Sequence, residues 1–195
     1  MAQIHPAPER IKPLTVLYLG RFQPFHNGHL AVVKYLCEFG NKIVIALGSP
    51  SPPVRSFHDP FSYRERTEML VSALSDAEID VEGVFAVPDI NDSKRWVDYV
   101  LAIVPHVDLV FSTSDGDRML WAKKERTNGR FHKYPELLER KFFEREKYEG
   151  TQIRNMLADG DEKWRELVPP AVAGFLDKHE AGKLLSSLRV SSQKL

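Results

Sequence analysis

The chain has 195 residues, 43% of them hydrophobic, which is enough to bury one substantial core and falls in the size range of a single domain. Lysine plus arginine and aspartate plus glutamate number 27 each, so the formal net charge is zero and the basic excess of a nucleic-acid binder is missing. One cysteine, Cys37, excludes a disulfide framework and a cysteine zinc site, and no apolar run reaches the length that crosses a bilayer. Met1 to Pro13 holds three prolines and no continuous apolar stretch. It reads as an N-terminal extension, with residues 14–195 forming one domain and the chain working in the cytoplasm.

Leu14 to Leu19 is a short continuous apolar run of the kind buried in parallel sheets, and Leu30 to Phe39 has helical spacing stopped by Gly40. Lys42 to Leu47 repeats the strand pattern, and the proline-rich stretch from Gly48 to Pro60 reads as a loop. Ser62 and Glu65 fit a capping box for a helix running to about Leu74. Val84 to Val87 predicts a third strand, about Ser93 to Ile103 a helix, and Asp108 to Ser112 a fourth strand. Ser114 to Glu149 is charged and reads as a lid or edge segment, with a weak strand near Arg130 to Tyr134 and a helical stretch from Pro135 to Phe143. Thr151 starts a helix ending at Gly160, the Asp159-Gly160-Asp161 turn follows, and a final helix comes after Pro169 and Pro170. The alternation predicts an α/β doubly wound parallel sheet with a small helical part from about residue 161, and ligands collect at the carboxyl ends of such strands.

Residues 20–29, Gly-Arg-Phe-Gln-Pro-Phe-His-Asn-Gly-His, lie between the first strand and the first helix. Glycine at 20 allows a sharp turn, Gly28 allows close approach of a ligand, and the helix N-terminus favours an anion. His26 and His29 lie within one turn and can both donate to phosphate oxygens. Spacing alone leaves a metal half-site or two surface histidines open; zinc would want a third protein ligand, and none stands out. Phosphate accounts for Gly20, Arg21, Gly28 and both histidines together. Later, Thr151 in Gly150-Thr151-Gln152-Ile153-Arg154 fits a helix cap that also donates to phosphate, and Arg154 reaches an anion held there. An N-cap threonine and a solvated arginine are the plainer readings of that segment taken by itself.

The first motif resembles the GRFxPxHxGH signature of nucleotidyltransferases that carry an (H/T)xGH motif, and the second resembles their (S/T)xxxR signature. Asp59-Pro60-Phe61 with Glu65-Arg66 and Met69-Leu70, then Val87-Pro88-Asp89-Ile90 with Trp96, then Tyr148-Glu149-Gly150-Thr151 with Met156-Leu157, resemble the archaeal-type nicotinamide mononucleotide adenylyltransferases. The match runs in order from Leu14 to about Leu167. It implies a Rossmann-like fold and transfer of AMP from ATP to nicotinamide mononucleotide (NMN), giving NAD and pyrophosphate, with Mg²⁺ carried mainly on the ATP phosphates. Gly20, Arg21, Phe22, His26, Gly28, His29, Thr151 and Arg154 would hold ATP. Within that set His29 would steady the α-phosphate, with His26 and Arg154 on the β and γ groups and Arg21 adding charge.

In that family the residues matching Trp96 and Tyr148 line the nicotinamide pocket and the one matching Asp89 meets the carboxamide. A flat pyridinium suits aromatic faces, and a carboxylate accepts from an amide while repelling the acid form. Core packing for Trp96, loop packing for Tyr148 and a turn role for Asp89 are the structural alternatives. The family position before Asp-Pro-Phe is commonly a phosphate-binding arginine; here it is His58, and Arg55 is the expected substitute. Thr113 to Asp117 also departs from the usual small, Asn-containing turn. Transfer to FMN or phosphopantetheine and a non-catalytic nucleotide sensor are the competing readings, and the resemblance implies a homo-oligomer.

Overall fold

The computed structural model describes residues 14–38, 42–49, 55–127, 136–137 and 147–192. Five parallel strands form one sheet in the order β3-β2-β1-β4-β5: β1 Thr15–Gly20, β2 Lys42–Gly48, β3 Gly83–Val87, β4 Leu109–Ser112 and β5 Glu136–Leu137. The central strands are apolar along their length because helices cover both faces. Leu17 of β1 pairs with Val44 of β2 on one side and Val110 of β4 on the other.

Alternate side chains point to opposite faces, so each strand feeds two cores. Val16, Tyr18, Ile43, Ile45 and Phe111 join the core under α1 (Asn27–Glu38), α2 (Tyr63–Asp76) and the C-terminal helices. Leu17, Leu19, Val44, Ala46 and Val110 join a second core with Val97 and Val100 of α3 (Trp96–Ile103) and Trp121 of α4 (Asp115–Thr127). The sheet is therefore doubly wound, as the strand-helix alternation predicts. No helix among the described residues is long and apolar enough to cross a membrane.

The capping box forms: the Ser62 N–H donates to Glu65 Oε2 at 2.7 Å and the Glu65 N–H to Ser62 Oγ at 3.3 Å. Of the two readings of the segment after β4, lid or edge, the strand order supports the edge, since β5 is an outer strand of the sheet. Asp115–Thr127 is a helix whose packed apolar side chains are Leu120 and Trp121, too few to produce a periodic signal. Glu136–Leu137 is a strand paired with Leu109–Val110, not part of a helix, while the weak strand expected at Arg130 to Tyr134 lies outside the described residues. α5 (Gly150–Asp159) starts one residue before Thr151 and ends on Gly160 at φ 73°, the left-handed cap that glycine supplies without strain. A 3-10 turn, Glu162–Leu167, follows. The C-terminal stretch is then two helices, α6 (Pro170–Lys178) and α7 (Ala181–Ser192), separated where Glu180 takes a φ of 48°.

Candidate functional site

A cavity of about 670 Å³ opens at the carboxyl ends of the strands. The turn from β1 to α1 forms its centre. Phe22 takes the left-handed conformation (φ 51°) there, and Gly20 serves a different need, since a Cβ on it would stand 2.7 Å from the Phe22 ring. Gln23, buried, clamps the next loop through its amide. Nε2 donates to Phe61 O at 3.0 Å, and Oε1 accepts from the Phe61 N–H at 3.1 Å.

His26 and His29 stack with ring centroids 3.5 Å apart. The His26 N–H donates to His29 Nδ1 and the His29 N–H to His26 Nδ1, both at 3.3 Å. Both Nδ1 atoms thus act as acceptors, which places each ring proton on Nε2 and makes both rings donors. Burial lowers the His26 pKa to about 3 and pulls that of His29 well below its ordinary value, helped by His26. The pair is neutral at physiological pH.

Positive charge comes from arginines. Arg154 of α5, buried, donates from Nη1 to Gln23 O at 2.6 Å and from Nη2 to Thr151 Oγ1 at 3.1 Å, tying the second motif directly to the first. The fit is close: a Cβ on Gly150 would lie 3.0 Å from Gln23 O. Burial, and Arg21 nearby, lower the Arg154 pKa to about 10, so it remains charged. Arg21 is largely exposed, and its guanidinium lies 3.8 Å from Asp59 Oδ1, beyond hydrogen-bond distance, leaving its donors for a ligand. Arg154 and Arg189 of α7 both lie over the Phe57 ring, their guanidinium carbons 5.8 and 5.2 Å from its centroid. Arg189 is itself held by Asp159 at 2.6 Å and by Asn155 O at 3.0 Å.

Elsewhere on the cavity wall, Ser49 Oγ donates to Asp89 Oδ2 at 2.5 Å. Trp96 lines the same cavity and meets the Trp121 ring edge-on, with centroids 6.3 Å apart. The site thus joins neutral ring donors and fixed guanidinium charge to a wall bearing a carboxylate and an indole, a layout suited to a polyphosphate and a flat, electron-poor ring.

Residues 17–156 match the cytidylyltransferase-like family model. The nicotinamide-nucleotide adenylyltransferase of Thermococcus kodakarensis is 33% identical over 183 residues, 91% of this chain and 92% of that protein. Its counterpart from Ignicoccus hospitalis is 38% identical over 165 residues, covering 84% and 91%. The chain belongs to the nicotinamide-nucleotide adenylyltransferase family. In fold it is similar to a bifunctional NMN adenylyltransferase/ADP ribose pyrophosphatase from Francisella tularensis, with TM-score 0.65 and 18% identity over 93% of this chain. The chain spans 55% of that longer protein.

For this adenylyltransferase-family chain, Gly20, Arg21, Phe22, His26, Gly28, His29, His58, Asp89, Trp96, Tyr148, Thr151 and Arg154 all line the one cavity. Arg55 does not. Its guanidinium donates to Pro60 O and Glu65 Oε1, both at 3.1 Å, so it braces the start of α2 and leaves His58 at the cavity. Thr151 is the second residue of α5 and supports Arg154, while the N-cap position falls on Glu149 with no side-chain cap. The space a Cβ on Gly28 would need is taken by Tyr148 Cβ at 2.9 Å and the His26 ring at 3.2 Å, so its close approach is to protein. Tyr148 lies parallel to His26, with centroids 6.5 Å apart, on the histidine side of the cavity; Trp96 packs on Trp121.

Sequence reasoning missed Arg66 as a site residue. Fully buried, it donates to Arg21 O at 2.6 Å, Gly48 O at 2.8 Å and Ser49 O at 2.7 Å, binding together the ends of β1 and β2. Burial lowers its pKa to about 10, within the charged range. The available signal is an arginine in the stripe Arg66, Met69, Leu70 and Ala73, the buried face of α2. Gln23 and Ser49 carried no such signal, because a glutamine in a turn and a serine in a proline-rich loop are commonplace.

Proposed function

We propose that this protein transfers AMP from ATP to NMN, releasing pyrophosphate and leaving NAD. The observation that carries the reading is the Arg154 to Gln23 hydrogen bond, which joins the late helix to the histidine turn within one cavity. An oxygen of the NMN 5′-phosphate attacks the α-phosphorus of ATP in line, and the bond from that phosphorus to the bridging oxygen of pyrophosphate breaks. Charge accumulates on phosphate oxygens, so positioning and neutralisation supply the catalysis and no protein nucleophile is needed. His29 Nε2–H donates to the α-phosphate as its charge develops, while His26, Arg154 and Arg21 hold the β and γ groups. Thr151 keeps Arg154 in place, and His58 adds a donor beside them.

The phosphate grip of His26, His29, Arg21 and Arg154 is built from cationic and neutral donors. That chemistry fits a divalent ion, Mg²⁺, carried on ATP oxygens, where it supplies further neutralisation. A related Francisella tularensis structure contains AMP and a manganese ion. Trp96 and Asp89 would receive the nicotinamide ring and its carboxamide, and Tyr148 would close the wall between ring and phosphate. The family resemblance supports a homo-oligomer, and the sequence composition supports a cytoplasmic chain whose domain spans residues 14–195.

The test supplies Mg²⁺, ATP and, separately, NMN, nicotinic acid mononucleotide, FMN and phosphopantetheine, and measures pyrophosphate and dinucleotide together. Equimolar NAD and pyrophosphate with NMN is the expected result. Faster release with FMN or phosphopantetheine, or nucleotide binding with no release from any acceptor, overturns the assignment.

A further inference from the structure

α4 opens on Asp115, Gly116 and Asp117, to which the adenylyl-transfer reading gives no role. Asp115 is exposed, whereas Asp117 lines the cavity. Asp117 and Trp121 are four residues apart and therefore share a face of α4. Trp121 sets its ring edge against Trp96, so Asp117 stands one helical turn away on the side that Trp96 walls. The fully buried Ser112 donates from Oγ to Asp117 Oδ2 at 3.2 Å, and the Asp117 N–H donates to Ser114 Oγ at 3.3 Å. The carboxylate is therefore held in place, and its Oδ1 has no hydrogen-bond partner among the described residues. Burial, with Asp89 adding to it, raises the Asp117 pKa, against the pull of Ser112, Ser114 and Arg21; the two carboxylates are near enough to sense each other.

We propose that Asp117 is a second specificity residue beside Asp89, favouring a mononucleotide whose cationic pyridine ring bears a neutral carboxamide over one whose ring bears a carboxylate. The inference rests on the adenylyl-transfer reading of the cavity. A pyridinium is attracted by both aspartates, and a ring carboxylate cancels that charge while bringing a third anion to a wall already carrying two.

The experiment compares kcat/KM for NMN and for nicotinic acid mononucleotide in wild type, Asp117→Asn and Asp117→Glu, with calorimetric titration of each mononucleotide covering any variant too slow to assay. Asp117→Asn keeps the shape and removes the charge, so the NMN preference should fall by about tenfold, mainly through a gain with the acid, while Asp117→Glu retains most of it. A preference in Asp117→Asn within about twofold of wild type, or an equal fall in both variants, overturns the proposal. A wild-type enzyme that forms no NAD from NMN would instead overturn the reading of the cavity.

Discussion

The histidine pair ties stability to pH in a direction the structure sets. Both rings are neutral when folded, with His26 pushed down to about 3 by burial and His29 held well below its ordinary 6.5, whereas both return to about 6.5 in the unfolded chain. Above pH ~7 neither state is protonated and the effect vanishes. Below about 6.5 the unfolded chain takes up protons that the folded one refuses, so stability falls as pH falls until His26 itself titrates. At pH ~5 His26 alone costs about 2 kcal/mol, and His29 adds a cost of the same sign, against a total of roughly 5–15 kcal/mol for a typical domain. Urea unfolding at these pH values, run beside His26→Asn/His29→Asn, isolates the effect, because asparagine can accept the two main-chain N–H groups without titrating. Wild type should lose at least about 2 kcal/mol more than the double variant between pH ~7 and ~5. Parallel losses would refute the neutral pair.

Two further outcomes follow from neighbouring arginines. Arg66→Ala leaves three strand-end carbonyls without their charged donor, and should destabilise by about 3–5 kcal/mol, lowering Tm by roughly 6–20 °C in calorimetry. Because Arg55 is held by Glu65 and Pro60 while His58 lines the cavity, His58→Ala should raise the KM for ATP several-fold and Arg55→Ala should act chiefly on Tm. Steady-state kinetics on the pair checks the order.

Much of the site was legible because its chemistry is local. The turn at residues 20–29 and the helix opening at Gly150 each carry several constrained residue types in a short span, and the capping box at Ser62 and Glu65 has a mechanism readable from four letters. What escaped reading depends on tertiary context. α4 buries so little apolar surface that charge hid it, and β5 is two residues long and gains its identity only by pairing with β4. Arg55 was misplaced because three residues of sequence separation say nothing about which partner a long side chain will find, and Glu65 captures it first. Arg66 was given no site role, because the strand ends beneath it supply three acceptors that only the folded sheet assembles.

The ring of Phe57, which Arg154 and Arg189 both lie over, makes the C-terminal helix a buttress of the site. The loop carrying His58 is fastened through that ring to both α5 and α7, so undocking α7 would loosen a wall of the cavity while leaving the sheet beneath it intact.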